Sequence, residues 1–221
     1  MIKGLLFDLD ATLTDRVQSA YNMYRFIVES EVPEMDPDSL AFETIVQRMM
    51  LWDEYGTIEK EHIFERTKRL FIPHLDVEEW SKRWYEEFYL HIVLQKNCIE
   101  ILKRLKEKYL LGIVTNGSSF SQNKKIDYLG LRELFDTVIV SEDFGIRKPD
   151  PSIFLEAAKN LELEPNEVAF IGDTFATDVV GAIQAGMLPI WFSREHLCPS
   201  NMEILQMKSL EEVENYFLER T

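Results

Sequence analysis

Five short apolar runs, alternating with amphipathic stretches, limit what this chain can fold into. They occupy residues 2–7, 110–114, 138–140, 168–171 and 189–192. Runs this short, bounded by polar turns, read as buried strands. Between them, residues 98–107, 121–129, 151–161 and 177–185 carry apolar side chains at helical spacing. The alternation predicts an α/β fold with a Rossmann-like, mostly parallel sheet. A last helix is expected from Ser209, whose spacing to Glu212 is that of a capping box.

Residues 16–96 break the pattern. They contain no strand signal. Apolar and aromatic residues recur at helical spacing, in the groups Tyr21 to Val28, Phe42 to Met49, Ile63 to Phe71 and Trp80 to Phe88, with turn signals at Pro33, Pro37, Gly56 and Pro73. We read this as four helices forming a cap domain inserted after the first strand. The core would then be discontinuous, residues 1–15 and 97–221. An insertion there leaves the sheet and returns at the strand ends, where parallel α/β sheets bind ligands, so it is placed to act as a lid.

Composition excludes several function classes. Of the 221 residues, 46% are hydrophobic and 29% charged, and no apolar run is long enough to span a bilayer. Residues 1–7 are apolar but meet aspartate at once, which is unlike a signal peptide, so a cytoplasmic location is expected. The net charge of −15 repels phosphate backbones and argues against nucleic acid as a bulk partner. Cys98 and Cys198 belong to no metal-spaced cluster and read as buried thiols; His62, His74, His91 and His196 are scattered.

The chemistry gathers after the strands. The first run ends in Asp8-Leu9-Asp10-Ala11-Thr12; the second leads into Thr115-Asn116-Gly117-Ser118; the fourth into Gly172-Asp173-Thr174, with Asp178 soon after. Lys148 lies in the loop after the third. Taken singly, each is an ordinary turn, cap or surface residue. Together, at one edge of a parallel sheet, they bring several carboxylates close enough to raise one another's pKa or to require a cation. Magnesium suits such oxygen ligands. Thr115 and Asn116 offer side-chain donors, Gly117 and Ser118 offer backbone N–H groups at a helix start, and Lys148 offers positive charge, a set suited to phosphate.

These four segments, Asp8 to Asp15, Thr115-Asn116-Gly117, Lys148-Pro149-Asp150 and Gly172 to Asp178, resemble the motifs of the haloacid dehalogenase superfamily, in particular its phosphatases with a helical cap. Gly181 to Gly186 is also similar to the family pattern, whereas residues 16–96 resemble it only in position and helical character. The resemblance implies that Asp8 attacks phosphorus to form an aspartyl-phosphate and that Asp10 serves as general acid and base. It also implies Mg2+ held by the Asp8 and Asp173 side chains and the Asp10 carbonyl, with Asp178 acting directly or through water. Thr115, Asn116 and Gly117 would bind the phosphate, and Lys148 would offset charge and hold the nucleophile. Where the family has glycine this chain has Ala11, small enough to close the loop if no positive φ is needed.

The expected substrate is a small phosphorylated metabolite, a nucleotide or a sugar phosphate, with aromatics in the insertion favouring nucleotides. A phosphomutase shares every motif; a dehalogenase needs no residue like Asp10; a silent binding protein has no reason to keep the whole charged set. Arg16, Tyr21, Tyr24, Arg48, Trp52 and His91 are candidates to face the site, although core packing or a solvated helix face accounts for each.

Overall fold

The computed structural model describes residues 1–193 and 202–219; His196 and Cys198 lie outside the described residues. The chain divides into two compact units, Met1–Thr14 with Leu94–Thr221, and Asp15–Val93. Along the chain run β1 (Gly4–Phe7), the helices α1 (Arg16–Glu31), α2 (Leu40–Asp53), α3 (Lys60–Leu70), α4 (Val77–Glu87) and α5 (Cys98–Lys106), and then β2 (Leu110–Thr115). There follow α6 (Ser119–Tyr128), β3 (Thr137–Val140), α7 (Ser141–Phe144), α8 (Pro151–Asn160), β4 (Val168–Gly172), α9 (Val180–Gln184), β5 (Leu188–Phe192), β6 (Leu205–Met207) and α10 (Leu210–Leu218).

The first unit is the expected α/β fold. Its six strands run parallel in the order β3-β2-β1-β4-β5-β6. Successive side chains of a strand point to opposite faces. Leu5 and Phe7 therefore join Leu111, Ile113, Ala169 and Ile171 in a core with α5 and α10. Leu6 joins Val114 and Phe170 on the other face, with Phe154 of α8 and Ala182 of α9. Strands covered on both faces must be apolar throughout, which is why they read as unbroken runs. Caps start the helices: Ser118 Oγ accepts from Ser121 N–H, and Asp150 from Ser152 N–H ahead of α8. At α10, Ser209 caps Glu212 N–H, but the Glu212 carboxylate reaches back to Lys208 N–H, one residue beyond the Ser209 N–H of the capping box expected. Two features were not anticipated. β6 is only three residues long, and a single wide π turn, Phe175–Val179, precedes α9.

The second unit holds α1 to α4 around its own core, with Tyr24, Phe42, Phe64 and Trp80 fully enclosed and Trp84 beside them. Inside it lies a buried charge cluster. Asp53 pairs with Arg16 at 2.9 Å, accepts from Tyr24 Oη at 2.7 Å and meets Lys60. Burial works against the Asp53 carboxylate, but the Arg16 and Lys60 charges hold its pKa below the ordinary value. Arg16 and Tyr24 are thus engaged within the unit. Tyr21 donates to Glu43, Trp52 packs near Phe71, and the His91 ring lies 4.7 Å from that of Phe26. Arg48 is exposed. Among the described residues, no helix is long and apolar enough to cross a membrane.

Candidate active site

The site is built from the carboxyl ends of adjoining strands. Asp8 follows β1 directly, with its N–H bonded to Ile171 O of β4 at 2.9 Å, and its Oδ1 accepts from Leu9 N–H at 2.7 Å. Asp173 follows β4. Asp178, four residues into the turn after it, accepts from Thr174 N–H at 2.9 Å. Gly172 admits that return: a Cβ there would lie 2.5 Å from the Asp178 carboxyl. Asp8, Asp173 and Asp178 each offer an oxygen, all within 4.8 Å of one another. Lys148 Nζ lies 2.9 Å from Asp8 and 2.8 Å from Asp178.

Three carboxylates here face one ammonium, and the imbalance is written into their protonation. Burial, with the Asp178 charge adding, raises Asp8 to about 6 against the opposing pull of Lys148. Burial, Asp8 and Asp178 together raise Asp173 to about 8. Burial alone would lower Lys148, but the two carboxylates outweigh it and raise its pKa. A divalent cation would balance the remaining two negative charges, and a set of three hard oxygens fits a hard ion. The Asp173 backbone is itself held: Trp191 at the end of β5 donates its indole N–H to Asp173 O at 2.8 Å and packs edge-on against Phe175.

Asp10 stands apart from this cluster. Its carboxylate receives Lys125 Nζ at 2.9 and 2.7 Å and Gln122 Nε2 at 3.0 Å. Gln122 Nε2 also donates to Thr115 Oγ1 at 2.6 Å. Neither Gln122 nor Lys125 was among the residues expected. Both come from α6, three residues apart on one face, at the helical spacing of the buried Ile126. Polar residues at core-facing positions of a helix were the available signal.

The segment after β2 is tied to the lysine loop. The Asn116 side chain is engaged with the backbone of Lys148, donating to Lys148 O at 3.1 Å and accepting from Lys148 N–H at 2.9 Å. These bonds fix the lysine loop and use one of the two amide hydrogens, which leaves the other for a second acceptor. Gly117 N–H meets Ser141 Oγ at 3.1 Å. At Ala11 the loop does need a positive φ, +59°, a conformation that costs an alanine more than a glycine.

Comparison with known proteins places this geometry in context. Residues 5–192 match the family model described as haloacid dehalogenase-like hydrolase. A glyceraldehyde 3-phosphate phosphatase of Pyrococcus abyssi is 32% identical over 87% of this chain and 82% of its own length. The pyrimidine 5′-nucleotidase YjjG of Escherichia coli is 26% identical over 87% of this chain and 86% of its own. Among solved structures, a phosphatase of the same superfamily from Thermococcus onnurineus superposes with a TM-score of 0.64 at 27% identity, covering 98% of both chains. With 188 of its residues, 5–192, matched to that family model, the chain belongs to the haloacid dehalogenase-like hydrolases.

Proposed function

We propose that this chain is a magnesium-dependent phosphatase of small phosphate monoesters, working through an aspartyl-phosphate on Asp8. The observation that carries the reading is the cluster of Asp8, Asp173 and Asp178 around a single buried lysine. Its named relatives are phosphatases of small molecules, which supports the same substrate class here. Tyr24, Phe64, Trp80 and Trp84 pack in the helical core, so these four rings are not free to stack on a base.

Asp8 supplies a carboxylate oxygen that attacks phosphorus, while Asp10 gives its proton to the departing ester oxygen. The alcohol leaves and Asp8 carries the phosphoryl group. Asp10, now a carboxylate, takes a proton from water as that water attacks phosphorus, which frees phosphate and restores both aspartates. Lys148 keeps Asp8 oriented and lessens the repulsion between two anions. The cation would be held by Asp8, Asp173 and the Asp10 carbonyl, with Asp178 acting directly or through water while it also pairs with Lys148. When bound, magnesium supplies positive charge against the phosphate oxygens. Thr115, Asn116 and Gly117 would line the phosphate side.

A panel of sugar phosphates, triose phosphates, nucleotides and phosphopeptides, assayed for phosphate release with magnesium and with EDTA, tests the reading. Turnover that depends on magnesium and is confined to small esters is expected. Full turnover in EDTA, or a preference for phosphopeptides, overturns it. Isomerised sugar phosphate without phosphate release identifies a mutase instead.

A further inference from the structure

Two nearly buried lysines reach this strand edge, and the reading above uses one. Lys148 takes Asp8 and Asp178. Lys125 is 7% exposed and spans both oxygens of Asp10, while Gln122, 2% exposed, sits between Asp10 and Thr115. Enclosed cations of this kind are placed by the fold rather than solvated. The placement begins in the sequence: Ser118 caps α6, and Gln122 and Lys125 then fall three residues apart on one face. Gly117 leaves room for them, since a Cβ there would lie 2.8 Å from Gln122 Cγ.

We propose that Lys125, with Gln122, is a positioning residue that fixes the Asp10 carboxylate for proton transfer at the ester oxygen and at the attacking water. The proposal rests on the reading of Asp10 as acid and base. A carboxylate after a turn can swing between rotamers, and two donors on different atoms of one helix face select one. Holding a proton-transfer group in register is worth up to about a hundredfold in rate. The gain belongs to steps that need the proton, so it separates from binding. Gln122 has a second consequence. Because its amide also reaches Thr115, the acid and the phosphate-binding hydroxyl share one support, and a shift of α6 moves both.

The test compares Lys125→Met, Lys125→Arg and Gln122→Leu with the wild type, using p-nitrophenyl phosphate and an alkyl phosphate ester in saturating magnesium. For Lys125→Met, kcat on the alkyl ester should fall about thirtyfold with KM within about twofold. The aryl ester, whose leaving group needs little protonation, should keep a rapid first turnover. Nitrophenolate should then appear as a burst approaching one per site, because hydrolysis of the acyl-phosphate still needs Asp10. Lys125→Arg, whose guanidinium spans two carboxylate oxygens, should recover most of the rate. In an Asp10→Asn background, Lys125→Met should cost nothing further. If Lys125→Met does not fold, Gln122→Leu carries the same signature, smaller in size. Equal losses on both esters with no burst, or an additive loss in Asp10→Asn, overturn the inference while leaving the hydrolase reading intact. A wild type that releases phosphate from no ester overturns both.

Discussion

Ala11 holds a φ of +59° within the loop that carries Asp8 and Asp10. An L-residue in that conformation costs about 1 kcal/mol more than glycine, so Ala11→Gly should raise unfolding free energy in denaturant by up to about 1 kcal/mol. No gain would mean that the loop strain is relieved elsewhere. Asp8→Asn should lower kcat by about ten-thousandfold or more, since an amide in place of the carboxylate removes the nucleophile; rapid-quench assay of acid-labile phosphate on the protein checks it. The raised pKa values make a separate prediction for the metal-free protein. Asp8 and Asp173 titrate at about 6 and about 8, above their unfolded value of 3.8. The folded state therefore holds protons that the unfolded state releases. That stability is fully present below pH 4 and is lost as pH rises through 6 and then 8. In EDTA the Tm should fall between pH 5.5 and 8.5, and the Tm gain from magnesium should grow over the same window. Asp173→Asn should flatten both trends, and an unchanged slope in that variant would refute the assignment.

Elements differ in how openly the sequence declares them. β1, β2 and β4 are legible because their central residues are covered on both faces and apolar, and each run ends where polar residues begin, at Thr115 in β2. The position of Asp8, Thr115 and Asp173 along the chain follows from those ends. β6 is not legible, because Leu205-Gln206-Met207 pairs along one edge only and three residues are too few for their alternation to register as a strand. The partners of Asp10 and Asn116 escape for another reason: each lies 32 to 115 residues away, and hydrogen bonds across that separation leave no local pattern. β5 belongs to this group through Trp191, whose indole N–H meets Asp173 O. Trp191→Phe keeps the ring against Phe175 but removes the donor, so the magnesium concentration for half-maximal activity should rise about tenfold with kcat little changed. Equal magnesium dependence in the two proteins would make the bond incidental.

At the scale of the molecule, a net charge of −15 is spread over two units that each enclose their own hydrophobic core. Within each unit the two chain segments that lead to the other run side by side. On one side Thr14 and Leu94 form an antiparallel bridge, with Gln95 N–H bonded to Leu13 O at 2.9 Å; on the other, Asp15 N–H meets Val93 O at 2.8 Å. The helical unit thus begins and ends at one point. An unstructured segment of roughly 80 residues would impose about 4 kcal/mol of loop-closure entropy on the pairing of β1 with β2. Once α1 to α4 have folded, their ends already stand side by side, and the sheet closes across what is in effect a short turn. The insertion then acts as a staple for the assembling sheet, and weakening it should slow formation of a strand pair that it does not join. Phe64→Ala, expected to cost the helical unit about 3–5 kcal/mol, should slow sheet formation in refolding followed by hydrogen exchange at β1 and β2. Replacing residues 15–93 with a short glycine-serine turn should restore the rate, because the ends are again close without any helix having to form.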